Sequence, residues 1–176
     1  MRKVEVSPYN PEWNVLFETE AEKIKLIFGR ELLAIHHIGS TAVNGLSAKP
    51  VIDIMPIVHN VYRVDAHNEA MISLGYEPKG ENGIRGRRYF QKGGNDRTHH
   101  IHIYQEGSID IARHIAFRDY LRNHPKEKEL YGELKMQLAT IYPYDIDAYI
   151  KGKEPLVRQI ELKALQWVNL TNLTNG

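Results

Sequence analysis

Apolar residues recur at helical spacing after Asn10-Pro11. Trp13, Leu16, Phe17, Ile24, Ile27 and Phe28 fall on one face, and Gly29 stops the run. The pattern then shortens to strand length, with Leu32 to Ile38 predicting a strand that runs into the turn Gly39-Ser40-Thr41. A polar stretch through Lys49-Pro50 leads to Val51-Ile52-Asp53-Ile54-Met55, a nearly continuous apolar run of the kind buried on both faces of a sheet. Residues 62–74 predict a helix closed by Gly75. Arg87 to Lys92 and Arg97 to Tyr104 predict two strands joined by the hairpin turn Gly93-Gly94-Asn95-Asp96.

The remaining third reads as helix. Ser108 caps one segment running to His124, Pro125 starts a second, a third begins near Asp145, and a last runs from Pro155 with Leu156, Ile160, Ala164 and Val168 on one side. Residues 169–176 predict a frayed polar tail. Strands early and helices late predict an α+β protein, a mixed sheet with a packed layer of helices, in a single domain over residues 1–168.

Composition narrows the class. The chain has 176 residues, 42% hydrophobic and 26% charged, which suits a globular domain with a real core. With no cysteine, disulfides, thiolate metal sites and a cysteine nucleophile are excluded. No apolar run approaches the roughly 20 residues of a membrane-spanning helix. The N-terminus lacks the apolar core of a signal peptide, so a cytoplasmic location is the default expectation. A net charge of +1 and the absence of a continuous basic stripe rank direct nucleic-acid binding lowest. Nine histidines are the compositional oddity, and their placement matters more than their number.

Three features carry candidate chemistry. Asp53 interrupts an apolar strand, where an unpaired carboxylate would be costly; it is either a metal ligand or a structural group bonded to backbone amides or an arginine. Gly39-Ser40-Thr41 ends a strand and presents N–H groups and hydroxyls suited to a phosphate, although Gly-Ser turns are also common without one. The third is the strand Thr98 to Tyr104. Alternation puts His100, His102 and Tyr104 on one face and His99, Ile101 and Ile103 on the other. His-x-His with an aspartate is a reasonable set for Zn²⁺, Mn²⁺ or Fe²⁺; the alternative is a hydrogen-bonded or solvated pair.

A Gly-Ser turn followed after twelve residues by an aspartate strand resembles the nucleotidyltransferase superfamily. The blocks His37-Ile38-Gly39-Ser40-Thr41-Ala42-Val43, Gly45-Leu46, Lys49-Pro50-Val51-Ile52-Asp53-Ile54, Thr98-His99-His100-Ile101-His102 and Phe117-Arg118-Asp119-Tyr120-Leu121-Arg122 narrow this. Together with Tyr131, Leu134-Lys135 and Tyr149, they resemble the GrpB family over nearly the whole chain. The resemblance implies a nucleotidyltransferase-like fold, sometimes joined to dephospho-CoA kinase. It also implies a phosphate turn at Gly39, Ser40 and Thr41, and a divalent metal (Mg or Mn, with Zn as a further choice) at Asp53. In the superfamily a second carboxylate stands two residues on, where the strand period brings it to the same ion. Here that position is Met55, a poor ligand for Mg²⁺, which puts turnover in question. His100 or His102 would stand in for a neighbouring-strand carboxylate, making Asp53 and His102 the expected catalytic pair.

Among basic groups, Lys49 and Arg88 are expected at the phosphate, with Arg87 and Arg97 flanking in hairpin register; Arg85, Arg87 and Arg88 could equally solvate a loop rim. Lys135, Lys151 and Lys153 sit in the helical third and could close over a nucleotide, with a solvated helix face the favoured reading. Arg118, Asp119 and Arg122 read as structural. The expected partner is a nucleotide or other phosphorylated small molecule. The open readings are nucleotidyl transfer, a non-catalytic ligand- or protein-binding module derived from that fold, and a transition-metal hydrolase or isomerase built on His100, His102 and Asp53.

Overall fold

The apolar spacing after Pro11 does fold as a helix, α1 (Glu12–Phe28), burying Trp13, Ala21, Ile24 and Phe28 and leaving Leu16 exposed. A computed structural model describes residues 2–175 of the chain. They form two compact units, one of Pro11–Ile38 and Val51–Ile111, the other of residues 2–10, Gly39–Pro50 and 112–175. The first carries the sheet and the second most of the helix. Among the described residues no helix is long and apolar enough to cross a membrane.

The sheet unit contains β1 (Leu32–Ile38), β2 (Ile52–Val58), the short helix α2 (Asn68–Ser73), β3 (Tyr76–Pro78), β4 (Arg87–Lys92) and β5 (His99–Gln105). Strand order is β1-β2-β5-β4-β3, with β2 and β5 parallel and the other pairs antiparallel. This mixed sheet is the expected one, with two differences. β2 continues past Met55 through Pro56. The proline lacks an N–H, and the parallel ladder to β5 has no pairs at Met55 and Pro56 while β1 still pairs Ile35 with Pro56. β3, only three residues long, is too brief to leave an alternation pattern.

One sheet face carries His37, Ile54, Ile101, Ile103 and Phe90. There Phe17 of α1 stacks on His37 with ring centroids 4.8 Å apart. Glu20 of α1 is buried on the same side and accepts hydrogen bonds from Tyr76 (2.9 Å) and Lys92 (2.9 Å). Burial alone would push this carboxyl up, but the bonds and charge of Lys92 and the bond from Tyr76 hold it below its ordinary value. The β4–β5 turn depends on Gly93 at φ +102°, where a Cβ would sit 2.3 Å from the Asp96 carbonyl oxygen. Only glycine fits there.

The helical unit contains α3 (Ile109–Asn123, from Ala112 on), α4 (Pro125–Ile141) and α5 (Ile146–Thr174). Its core gathers Val43, Leu46, Ala116, Tyr120, Leu121, Tyr131, Ile160 and Ala164. Ser108 caps α3 as expected, its Oγ accepting from Asp110 N–H at 3.3 Å. Two expectations about the C-terminal helices change. The segments expected from Asp145 and from Pro155 are one helix, because the bond that Pro155 cannot make falls on an exposed stretch where water can serve the freed carbonyl. The expected polar tail from residue 169 is also helical as far as Thr174, with Thr171 Oγ1 bonding the Trp167 carbonyl oxygen at 2.8 Å; Gly176 lies outside the described residues.

Candidate functional site

Parallel pairing of β2 and β5 sets Asp53 beside His100, and strand alternation returns His102 to the same side. His102 Nε2 lies 3.0 Å and His100 Nδ1 3.4 Å from Asp53 Oδ1. One ligand atom from each of the three residues lies within 4.8 Å of the other two. The cluster is partly buried: the Asp53, His100 and His102 side chains are 27%, 25% and 13% exposed. It occupies the sheet face opposite the one that stacks on α1. Burial would raise the Asp53 carboxyl, but bonds from His100 and His102, and then the charges these rings carry when protonated, outweigh it and hold Asp53 well below the usual carboxylate range.

Two guanidiniums back the rings. Arg97 Nη1 donates to Gln91 Oε1 at 2.7 Å and lies 3.2 Å from His100 Nε2; Arg87 Nη1 lies 3.5 Å from His102 Nδ1. Backbone carbonyls anchor Arg87, with Nε bonded to Glu81 O (3.1 Å) and Nη2 to Asn82 O (2.7 Å). A guanidinium can only donate, so the outer ring nitrogens accept and the inner ones carry the protons given to Asp53. Tyr89 lies against both imidazoles, with centroids 5.7 Å from His100 and 5.3 Å from His102. Burial, followed by the charge of Asp53, raises its phenol above the ordinary value.

The donor set suits a divalent transition ion. One carboxylate and two imidazoles converge, and a nitrogen-rich set favours Mn²⁺ or Zn²⁺ over Mg²⁺. Met55, at the second-carboxylate position, is fully buried and adds no hard ligand. Such an ion would replace the inner ring protons. The outer nitrogens would then carry hydrogens facing Arg87 and Arg97, so both guanidinium groups must turn away from the rings.

The other expected site residues are distributed differently. Arg88 pairs with Ile103, on the sheet face opposite the cluster, and its guanidinium binds Asp65 (Nε to Oδ1 2.8 Å). Arg87 and Arg97 are the guanidiniums beside the histidines. Gly39, Ser40, Thr41 and Lys49 belong to the helical unit. Gly39 has φ 72°, which favours glycine, and Ser40–Ala42 forms a single 3₁₀ turn in which Thr41 is buried. Arg122 clamps that turn by donating from Nε (3.0 Å) and Nη2 (2.7 Å) to the Ala42 carbonyl oxygen, in line with its structural reading. Lys135 corrects an expectation: it is not on a solvated face but only 2% exposed, whereas Lys151 is exposed and Lys153 half-buried. Tyr89 and Gln91 were not foreseen. The odd-numbered alternation of β4 opposite His100 and His102 is the signal that identifies them.

Known proteins share this architecture. UPF0157 protein YqkA of Bacillus subtilis is 50% identical over 175 residues, covering 99% of this chain and 51% of its own length. The chain therefore spans about half of that relative. The crystal structure of the conserved protein GrpB from Enterococcus faecalis superposes with a TM-score of 0.91 at 44% identity, covering 93% of this chain and 99% of that one. A more distant likeness, with TM-score 0.51 at 16% identity over 74% of this chain and 43% of the other, is to a MgGTP-bound structure of the Cid1 poly(U) polymerase; it shows that the fold is nucleotidyltransferase-like. Residues 3–163 match the family described as GrpB protein, and the chain belongs to the GrpB family.

Proposed function

We propose that this protein binds a nucleotide or another phosphorylated small molecule through a divalent ion held by Asp53, His100 and His102. The observation that carries the reading is the convergence of three ligand atoms within 4.8 Å on one sheet face, at side chains that are only partly buried. When bound, such an ion supplies Lewis-acid polarisation of a phosphoryl oxygen. The chain does the rest. Asp53 offers a carboxylate already ionised, the two imidazoles fix the position, and Arg87 and Arg97, released from the ring nitrogens, present planar forks to phosphate oxygens. Within the helical unit, the resemblance to the nucleotidyltransferase superfamily makes Gly39, Ser40, Thr41 and Lys49 candidate phosphate contacts in their own right.

Nucleotidyl transfer is the reaction this arrangement would serve. An acceptor hydroxyl attacks the α-phosphorus, the bond to the β-phosphate breaks, and pyrophosphate leaves with the electron pair while solvent takes the hydroxyl proton. Met55 favours a second reading, binding without turnover, because it withholds the carboxylate that would seat another ion beside the leaving group. Calorimetric titration with Mn²⁺–ATP tests the shared part: wild type binds, and Asp53→Ala weakens binding by roughly 100-fold. Absence of wild-type binding to every common Mn²⁺–nucleotide, or equal binding by the variant, overturns it. Pyrophosphate release then separates transfer from binding alone.

A further inference from the structure

The helical unit holds an ionisable group that its surroundings do not satisfy. Lys135 of α4 is 2% exposed, and among the described residues its Nζ has no hydrogen-bond partner. It lies over the Tyr131 ring, 4.3 Å from the centroid. An aromatic face attracts a cation but accepts none of the three N–H bonds an ammonium offers. Tyr149 of α5 is fully buried beside it, and its hydroxyl also lacks a partner. Lys49 and Lys153 place their Nζ atoms 5.2 and 5.4 Å from the centre of the Tyr149 ring. Burial, and then the charges of Lys153 and Lys49, hold Lys135 well below the ordinary lysine range. All three influences act in the same direction, against a charge at this position.

Buried cations normally sit against carboxylates or carbonyls, because an unpaired one forfeits its hydration. Here two further ammonium groups approach instead. Three amines within electrostatic reach of one another, two of them over the ring of a tyrosine whose buried hydroxyl is unbonded, are complementary to an anion with several oxygens. Lysine suits phosphate as a compact point charge, and the half-buried Lys49 and Lys153 leave a path to solvent.

We propose that Lys135, Lys49, Lys153 and the Tyr149 hydroxyl form a binding site for a chain of phosphoryl groups, either free polyphosphate or the phosphate tail of a nucleotide. All four groups belong to the helical unit. The proposal does not rest on the ion at Asp53.

The test is calorimetric titration of sodium tripolyphosphate into the full chain in EDTA. Wild type binds at one-to-one stoichiometry, Lys135→Met weakens binding at least tenfold, and Asp53→Ala leaves it within twofold. The double variant Lys49→Gln/Lys153→Gln, made at half-buried positions, shows the same tenfold loss even if Lys135→Met does not fold. Failure of wild type to bind overturns the site, and so does binding within twofold of wild type by either lysine variant. If Asp53→Ala abolishes binding while the lysine variants retain it, the inference fails and the metal reading stands. An ATP arm distinguishes the sources: competition with tripolyphosphate at similar affinity assigns the site to a nucleotide tail, and tripolyphosphate binding that ATP does not displace assigns it to free polyphosphate.

Discussion

In the sheet unit a carboxylate, Asp53, accepts from two imidazoles that are themselves backed by arginines. In the helical unit an amine, Lys135, is buried against a tyrosine ring with two more lysines nearby and no hydrogen-bond partner among the described residues. Both are ionisable groups withdrawn from bulk water, yet one is compensated and the other is not. A compensated group contributes to stability, and removing it strands its partners. An uncompensated group costs stability and is retained for something that arrives later. Mutation can therefore tell the two apart by sign as well as by size.

The largest effect is expected from the scaffold of the compensated site. Gly93→Ala forces a Cβ to 2.3 Å from the Asp96 carbonyl oxygen and 2.9 Å from Thr98 N, both backbone atoms, in the turn that launches β5. A loss of about 2–4 kcal/mol in urea denaturation is predicted, with weakened metal uptake. A loss under about 0.5 kcal/mol would mean that this turn does not fix the histidine strand.

The contrast itself is tested by paired substitutions in EDTA. Asp53→Ala should destabilise the ligand-free protein by about 1–3 kcal/mol, since His100, His102 and their arginines lose the acceptor they converge on. Lys135→Met should instead be neutral or stabilising by about 1–2 kcal/mol, because an apolar side chain of similar length needs no partner there. Thermal melts of the same sign for both would break the comparison.

A smaller effect sharpens it. Glu20 is a second compensated carboxylate, bonded by Tyr76 and Lys92 and held below its ordinary value of 4.5. Its contribution is complete above that pH and drains as pH falls through the lower folded-state value. Glu20→Gln should therefore cost about 1–2 kcal/mol at neutral pH and flatten the acid limb of stability. An unchanged pH profile would show that Glu20 is merely packed.

Much of the architecture was legible because two simple periods carried it. β1, the β4–β5 hairpin and α1 follow alternation or helical spacing, and alternation also brought His100 and His102 to one face. Their approach to Asp53 was inferable because an acid in an apolar strand needs donors and the adjacent histidine strand supplies them. The choice between Arg87 and Arg88 was not legible, since it turns on the pairing register across the Gly93 turn, where a slip of one residue exchanges the faces. Continuity of α5 through Pro155 depends on a lost hydrogen bond falling at an exposed position, which local sequence does not reveal. Lys135 was misread for a related reason. Residue type predicts a lysine on the surface, and only tertiary packing, with the Tyr131 ring against its Nζ, takes it inside.

The claim that most needs testing is that Asp53, His100 and His102 hold a divalent ion. Crystals soaked in MnCl₂ and measured at the manganese edge address it directly. An anomalous peak about 2.0–2.2 Å from an Asp53 carboxylate oxygen and from one nitrogen of each ring, with Arg87 and Arg97 turned from the histidines, is the predicted result. An empty position there at millimolar manganese, with both arginines still on the ring nitrogens, would contradict it.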